Sequence, residues 1–279
     1  MSEYETCYGN KDDRTAVTWK PFTSQHAIER VRMAIHFAQP IQPKQASVFG
    51  DLVEGRRSDL GFGARSMRPA NIIEINAISG EPRINRDTGG WSFSRTTSDG
   101  ASLEVLIVDQ NFLIYEAAYY EGWTAFRARY DQISNDLRAR IHEAVNVRAV
   151  ALEYVDRFKF EGARDRAMPA GLVREAIIGS LPDSVLSGQE PWHVHRGWFE
   201  GDEPHRFLVN QNIAAQVIVG TGSEEARGAE ILTKVERQSP DGNLDISALP
   251  NNIEHMHTLS KRVVRDALVD SMCERVGLQ

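Results

Sequence analysis

The 279-residue chain carries 32 Lys plus Arg against 39 Asp plus Glu, a net charge of −7, and 41% of its residues are hydrophobic. That composition supports a substantial core, and it argues against a nucleic-acid binder, which needs surplus cations to displace counterions from phosphates. Two cysteines at opposite ends, Cys7 and Cys273, are too few and too far apart for a secreted disulfide scaffold, so a reducing, cytoplasmic location is expected.

Residues 1–25 read as a polar, aperiodic, flexible tail with neither the basic start nor the apolar stretch of a signal peptide. No apolar run approaches the ~20 residues that cross a bilayer, so no membrane association is expected. From Arg30 to Ala38, Val31, Met33, Ile35 and Phe37 alternate with Arg32, Ala34 and His36. Period two over that length predicts a strand with one buried face. Val48, Phe49, Leu52 and Val53 fall at helical spacing and predict a short helix over Gln45–Leu60. Strands are predicted at Asn71–Ile78, at Trp91–Thr96 after a Gly89-Gly90 turn, at Leu103–Val108 and at Phe112–Ala118. A long helix then follows from Gly122, with Trp123, Phe126, Tyr130, Ile133, Leu137 and Ile141 as its apolar stripe.

The second half repeats that order. A strand over Arg148–Phe160 precedes a short helix over Pro169–Leu181. Strands at Trp192–Glu200, Arg206–Asn212, Ala214–Val219 and Ala229–Gln238 come next. The last helix starts after Pro250, with Asn251 or Asn252 as its cap, and ends near Gly277. The expected fold class is therefore α+β. Two β-α-β-β-β-β-α units, 26–147 and 148–279, would arise by internal duplication, with antiparallel sheets covered by long amphipathic helices.

No constellation assembles a reaction. His193-x-His195 is the most suggestive pair, because residues two apart on a strand share a face, and His205 could supply a third metal ligand beside Asp202 and Glu203. Two ligands without a fixed third are common by chance. His142-Glu143 lacks the second histidine of a zinc-protease helix. His255-x-His257 lies on a helix, where residues two apart diverge by about 200°, so it is not a chelate. Gly61-Phe-Gly63 and Gly220-Thr-Gly222 lack the third glycine of a phosphate-binding fingerprint. Arg56, Arg57, Arg65 and Arg68 form a locally basic segment that reads as a solvated loop diluted by Glu54 and Asp59. On the central strand, Arg148, Glu153, Asp156 and Arg157 are candidates either to line a groove where the two units meet or to pair as surface ions worth little energy, with Trp192 as a further binding candidate.

Trp91-Ser-Phe93, Tyr120-x-x-Trp123-x-x-Phe126 and Arg148-x-x-x-Leu152-x-Tyr154-x-Asp156 resemble an uncharacterised, sporadically distributed bacterial family. In that family a Tyr-x-x-Trp-x-x-Phe helix start precedes a strand of the form Arg-x-Gly-Leu-Arg-Tyr-x-Asn. The His257 region and the final helix resemble its closing segment, so the resemblance spans about residues 26–277. Ala151, Glu153, Asp156 and Val264 depart from the pattern. The resemblance carries no activity; its patchy distribution implies a strain-variable locus of the defence or toxin–antitoxin type. The reading is a non-enzymatic binding or interaction module with no cofactor, engaging a protein partner or a second copy of itself. The alternative is a metal-dependent hydrolase or nuclease centred on His193 and His195.

Overall fold

The computed structural model describes residues 18–23, 26–75, 82–161, 169–179, 181–186, 191–201, 206–219, 225–239 and 241–278, with backbone alone at 70–75, 82–88, 142, 216–219 and 225–227. A strand β1 (Thr18–Pro21) lies inside the segment expected to be a tail. It is held by pairing with the far end of the central strand, Trp19 opposite Phe160, and the two rings meet edge to face at 5.2 Å. An apolar ring next to a sheet edge is enough to dock a short strand that composition alone reads as loose.

Strand β2 (Ile28–Phe37) leads into helix α1 (Pro43–Gly55). Strands β3 (Ala64–Ile75), β4 (Pro82–Thr96), β5 (Ser102–Asp109) and β6 (Phe112–Ala117) follow, then α2 (Trp123–Ala144). Strand β7 (Val147–Glu161) opens the second half and is followed by two single-turn helices, α3 (Glu175–Ile178) and α4 (Asp183–Leu186). Strands β8 (Trp192–Glu200), β9 (Phe207–Val219) and β10 (Glu225–Gln238) then precede α5 (Leu249–Ala267) and α6 (Asp270–Arg275).

The strands form one ten-stranded sheet in the order β3-β4-β5-β6-β2-β7-β10-β9-β8, with β1 added to β7. Each pairing is antiparallel. The protein is thus a mixed helix-and-strand fold built on one large antiparallel sheet. β2 and β7 run side by side at its centre, Met33 opposite Leu152.

One face of the sheet carries the core. Val31, Met33, Ile35, Leu152 and Val235 are buried there against Phe126, Ile133 and Leu137 of α2 and Ile253, Met256 and Leu259 of α5. A second cluster under the end of α5 gathers Phe158, Ile213, Ile231, Ala267 and Leu268 with Met272 and Cys273 of α6. Burial at every third or fourth position of α5 is what one apolar stripe demands. The opposite face is laced by cross-strand ion pairs, Arg32 to Glu116 at 2.5 Å and to Glu153 at 3.4 Å.

Several boundaries differ from expectation, each for a local reason. The predicted strands at Arg206–Asn212 and Ala214–Val219 are one strand, β9. No break interrupts it at Ile213, and the neighbouring Gln211 is fully buried and satisfied, donating to Thr233 Oγ1 at 3.2 Å and accepting from Arg196 at 2.8 Å. Gly89-Gly90 is not a turn between strands. It lies inside β4 at a register shift opposite Arg68 and Pro69, and Gly90 is needed because a Cβ there would sit 2.1 Å from the Val108 carbonyl oxygen. The predicted helix at Pro169–Leu181 is broken into a 3-10 turn at Pro169–Gly171 and α3. The last helix starts one residue before Pro250, not after it, and neither Asn251 nor Asn252 caps it. It also ends earlier, at Ala267, where extended Leu268 separates it from α6.

Helix α1 lies against Trp91 so closely that a Cβ at Gly50 would come 2.2 Å from the indole Cδ1, whereas a Cβ at Gly55 meets nothing within 4 Å. Gly50→Ala is therefore expected to destabilise the protein by roughly 1–3 kcal/mol through overpacking. Gly55→Ala is expected to be neutral or to stabilise by up to ~1 kcal/mol. Urea unfolding of both variants checks the contrast; equal effects would refute this packing account.

Candidate functional site

Where the start of α2 and the second half of α5 approach β7, the sheet and helices form an open cleft of about 920 Å³. Three elements build it. Strand β7 contributes Tyr154 and Asp156, two apart on the helix-covered face. The turn into α2 contributes Tyr119, Tyr120, Glu121 and Trp123, and α5 contributes His257, Ser260, Lys261 and Val264. Gly122, at φ +109°, makes the sharp entry into α2 that swings Trp123 over the opening. A bulge in β2 between Ile28 and Arg30, directly opposite Asp156, opens the floor.

The polar groups of this cleft fall into two sets. The first is internally satisfied. The Tyr154 hydroxyl lies 2.9 Å from His257 Nδ1, and its ring meets the Tyr120 ring edge to face at 6.2 Å. His257 stacks flat on Trp123 at 4.0 Å, and the indole Nε1 donates to Glu254 at 2.9 Å. Burial, reinforced by Lys261 and opposed by Glu254, pushes His257 down to about 4. Burial pushes the Tyr120 phenol up to about 12 and Tyr154 well above its ordinary value. At neutral pH all three groups are uncharged.

The second set lacks partners. Asp156 is only 6% exposed and makes no hydrogen bond or ion pair with a described residue. Burial alone pushes its carboxyl up to about 7. His26 lies 2.7 Å from the Tyr120 carbonyl through Nε2. A carbonyl only accepts, so Nε2 carries the proton and Nδ1 of the neutral ring is a bare acceptor. That Nδ1 is buried without a partner. Two acceptors are thus left open beside one cavity.

Of the candidate binding and metal-ligating residues Arg148, Glu153, Asp156, Trp192, His193 and His195, Asp156 alone lines this cleft. Glu153 projects from the other face of β7 to Arg32. Arg148 is exposed at the start of β7. Trp192 is buried in the second core cluster. His193 and His195 are exposed side by side on β8, at the edge of the sheet; His205, with Asp202 and Glu203, lies outside the described residues. Among the described residues no group of three or more His, Cys, Asp or Glu is placed to hold a metal ion. His255 stacks on Phe207 at 4.5 Å while His257 stacks on Trp123, so the pair does diverge.

The basic segment is not a solvated loop. Arg56 pairs with Asp136, Arg57 with Glu54, Arg65 with Asp51 and Glu54, and Arg68 with Asp109. Arg65 also lies 3.7 Å above the Trp91 ring. Four arginines already engaged by acids offer little to a phosphate.

Tyr120 and Tyr154 were legible only as family-motif or packing positions and His257 as a discarded metal pair, while no sequence signal marked His26. Their sequence separation hides the cluster, since the hydrogen bond from Tyr154 to His257 spans 103 positions.

Sheet, helices and cleft together define a mixed helix-and-strand protein, built on an antiparallel sheet, with an open, aromatic, acceptor-rich cleft. No family model matches the chain, and no curated protein is similar to it. Among the described residues no helix is long and apolar enough to cross a membrane.

Proposed function

We propose that the chain is a non-enzymatic binding module whose central cleft takes a small ligand. The observation that carries this reading is the Asp156 carboxyl, buried beside a cavity of about 920 Å³ with no partner among the described residues. Ionising a carboxyl this buried with no cation beside it is costly. A ligand that completes the carboxyl is the simplest explanation of its burial.

The frame supports this reading. The first half runs strand, helix, four strands, long helix, the second runs strand, two single-turn helices, three strands where four were expected, long helix, and β2 pairs with β7. Duplication of one unit accounts for the shared order, and a junction between units is where binding clefts commonly form. The resemblance carried by Tyr120-x-x-Trp123-x-x-Phe126 supports an accessory role in a strain-variable bacterial locus, of the defence or toxin–antitoxin type. A hydrolase at His193 and His195 has less support, because no third ligand stands with them among the described residues.

The test is thermal unfolding against a chemically varied panel of small molecules, repeated with Ala118→Trp. Ala118 lines the cleft at an exposed position, so a Trp there obstructs the site without emptying the core. A true ligand at 100 times its Kd should stabilise the native chain by about 2.7 kcal/mol and lose most of that in the variant. A panel without a single stabilising compound, or stabilisation indifferent to Ala118→Trp, would sink the reading.

A further inference from the structure

We infer that the central cleft selects an organic cation, a protonated amine on an apolar body. The inference rests on the cleft being a ligand site and names the chemistry it takes. The unsatisfied groups decide the sign. Asp156 and His26 Nδ1 are both acceptors, so the missing occupant must donate at two points. A primary ammonium has three N–H donors in a compact head, whereas a carboxylate or phosphate has none. The recess makes the match stronger, since an ion pair against a buried carboxylate is screened less than one at the open surface.

The remaining walls agree. Phe22 and Tyr119 stand exposed at 51% and 58% on the rim, with Tyr120, Trp123 and Tyr154 further in. Aromatic faces attract cations, and their area also buries an apolar body. Around the cavity, Asp156, Glu29 and Glu121 stand against a single lysine, Lys261. Glu29 is partly neutralised by Arg157 at 2.7 Å. Among the described lining residues an anion would find Lys261, since burial holds His257 neutral and Arg157, over the Phe22 ring, is already paired with Glu29 and Glu230.

The cleft should also respond to pH. The carboxyl must be ionised to hold the cation, and burial brings its titration to about 7 in the empty chain. The groups facing it are the Tyr120 and Tyr154 phenols, His257 and Lys261 of α5, His26, and Glu29 and Glu254 at the periphery. Burial keeps the phenols and His257 from titrating between pH 6 and 8, and brings Asp156 into that window.

The experiment is titration calorimetry on the full chain with phenethylamine, its neutral analogue 2-phenylethanol, and anionic 3-phenylpropanoate. At pH 8 the amine should bind at least tenfold more tightly than the alcohol, and the carboxylate more weakly than either. Asp156→Asn should lower amine affinity at least tenfold and leave the alcohol within about threefold. Amine affinity should fall roughly tenfold per unit below pH 7 and level off above it. Equal binding of amine and alcohol, preference for the carboxylate, or an amine affinity untouched by Asp156→Asn would overturn the inference. If the alcohol or the carboxylate binds and Ala118→Trp removes it, the cleft stands as a ligand site and only its cationic preference fails. If none of the three binds, the cationic preference fails, and the broader panel decides the fate of the site.

Discussion

Replacing Glu104 with alanine should cost the protein about 3–5 kcal/mol, the scale of breaking a buried ion network by removing one member. Glu104 is 5% exposed on β5. It accepts from Arg129 Nη2 at 2.8 Å and Nε at 3.1 Å, from Arg95 Nε at 3.1 Å, and from the Tyr115 hydroxyl at 3.0 Å. Arg129 donates as well to the Leu60 carbonyl, tying α2 to the turn after α1. Alanine leaves Arg129 half-buried without its counter-ion and the buried Tyr115 hydroxyl without its acceptor. The penalty is chiefly that of the orphaned groups, not the lost attraction.

The same network predicts a pH signature. Burial pushes the Glu104 carboxyl up, but hydrogen bonds from Arg129 and Arg95 outweigh it and hold the carboxyl below its ordinary value. A depressed carboxyl stabilises the fold above its unfolded-state pKa, and that stability drains as pH falls through the folded value. The gap between the native chain and Glu104→Ala should therefore be widest at pH 7 and narrow below about pH 4. Urea midpoints at pH 7 and pH 3.5 check this. A gap under about 1 kcal/mol at pH 7 would mean the network is as weak as a surface pair.

Asp156→Asn is expected to behave in the opposite way and to stabilise the protein. Burial raises this carboxyl from 3.8 to about 7. A raised carboxyl costs nothing below the unfolded-state value, where both states are protonated. The cost grows between pH 4 and 7 and is complete above 7. A rise of that size corresponds to about 4 kcal/mol, at 1.36 kcal/mol per pKa unit. Asparagine has the same shape and no charge, so the variant should match the native chain near pH 3.5 and exceed it by several kcal/mol at pH 8. Measuring both proteins across that range separates the account from a simple packing effect, which would not change with pH. A stability gain coupled to lost amine binding is the trade-off expected of a charge kept buried for function.

Much of the frame was legible because it rests on local periodicity. Val31, Met33, Ile35 and Phe37 alternate, so β2 could be read directly. Phe126, Tyr130, Ile133, Leu137 and Ile141 recur by three and four, and all are buried. The misreadings share a cause. β9 was read as two strands beside Gln211, whose polarity was visible while its partners Arg196 and Thr233 were not. Glu104 shares the β5 face of Leu106 and Val108, an odd place for a charge until Arg95 and Arg129 arrive from other elements. The segment holding β1 looked loose because Phe160, which Trp19 meets, lies 141 positions away.

The site was less legible than the frame. Asp156 was noted as a polar member of the central strand, but so were Arg148 and Glu153, and alternation cannot say which face looks into a cleft. What the amino-acid order determined by itself was the class of the fold, its strands and long helices, and the faces they bury, because side-chain period follows from backbone geometry alone. Which strands become neighbours, and that His26, Tyr120, Tyr154, Asp156 and His257 surround one space, was decided only in three dimensions. Convergence of that kind depends on the order of strands in the sheet and the lie of α5 across it, and no local rule carries either.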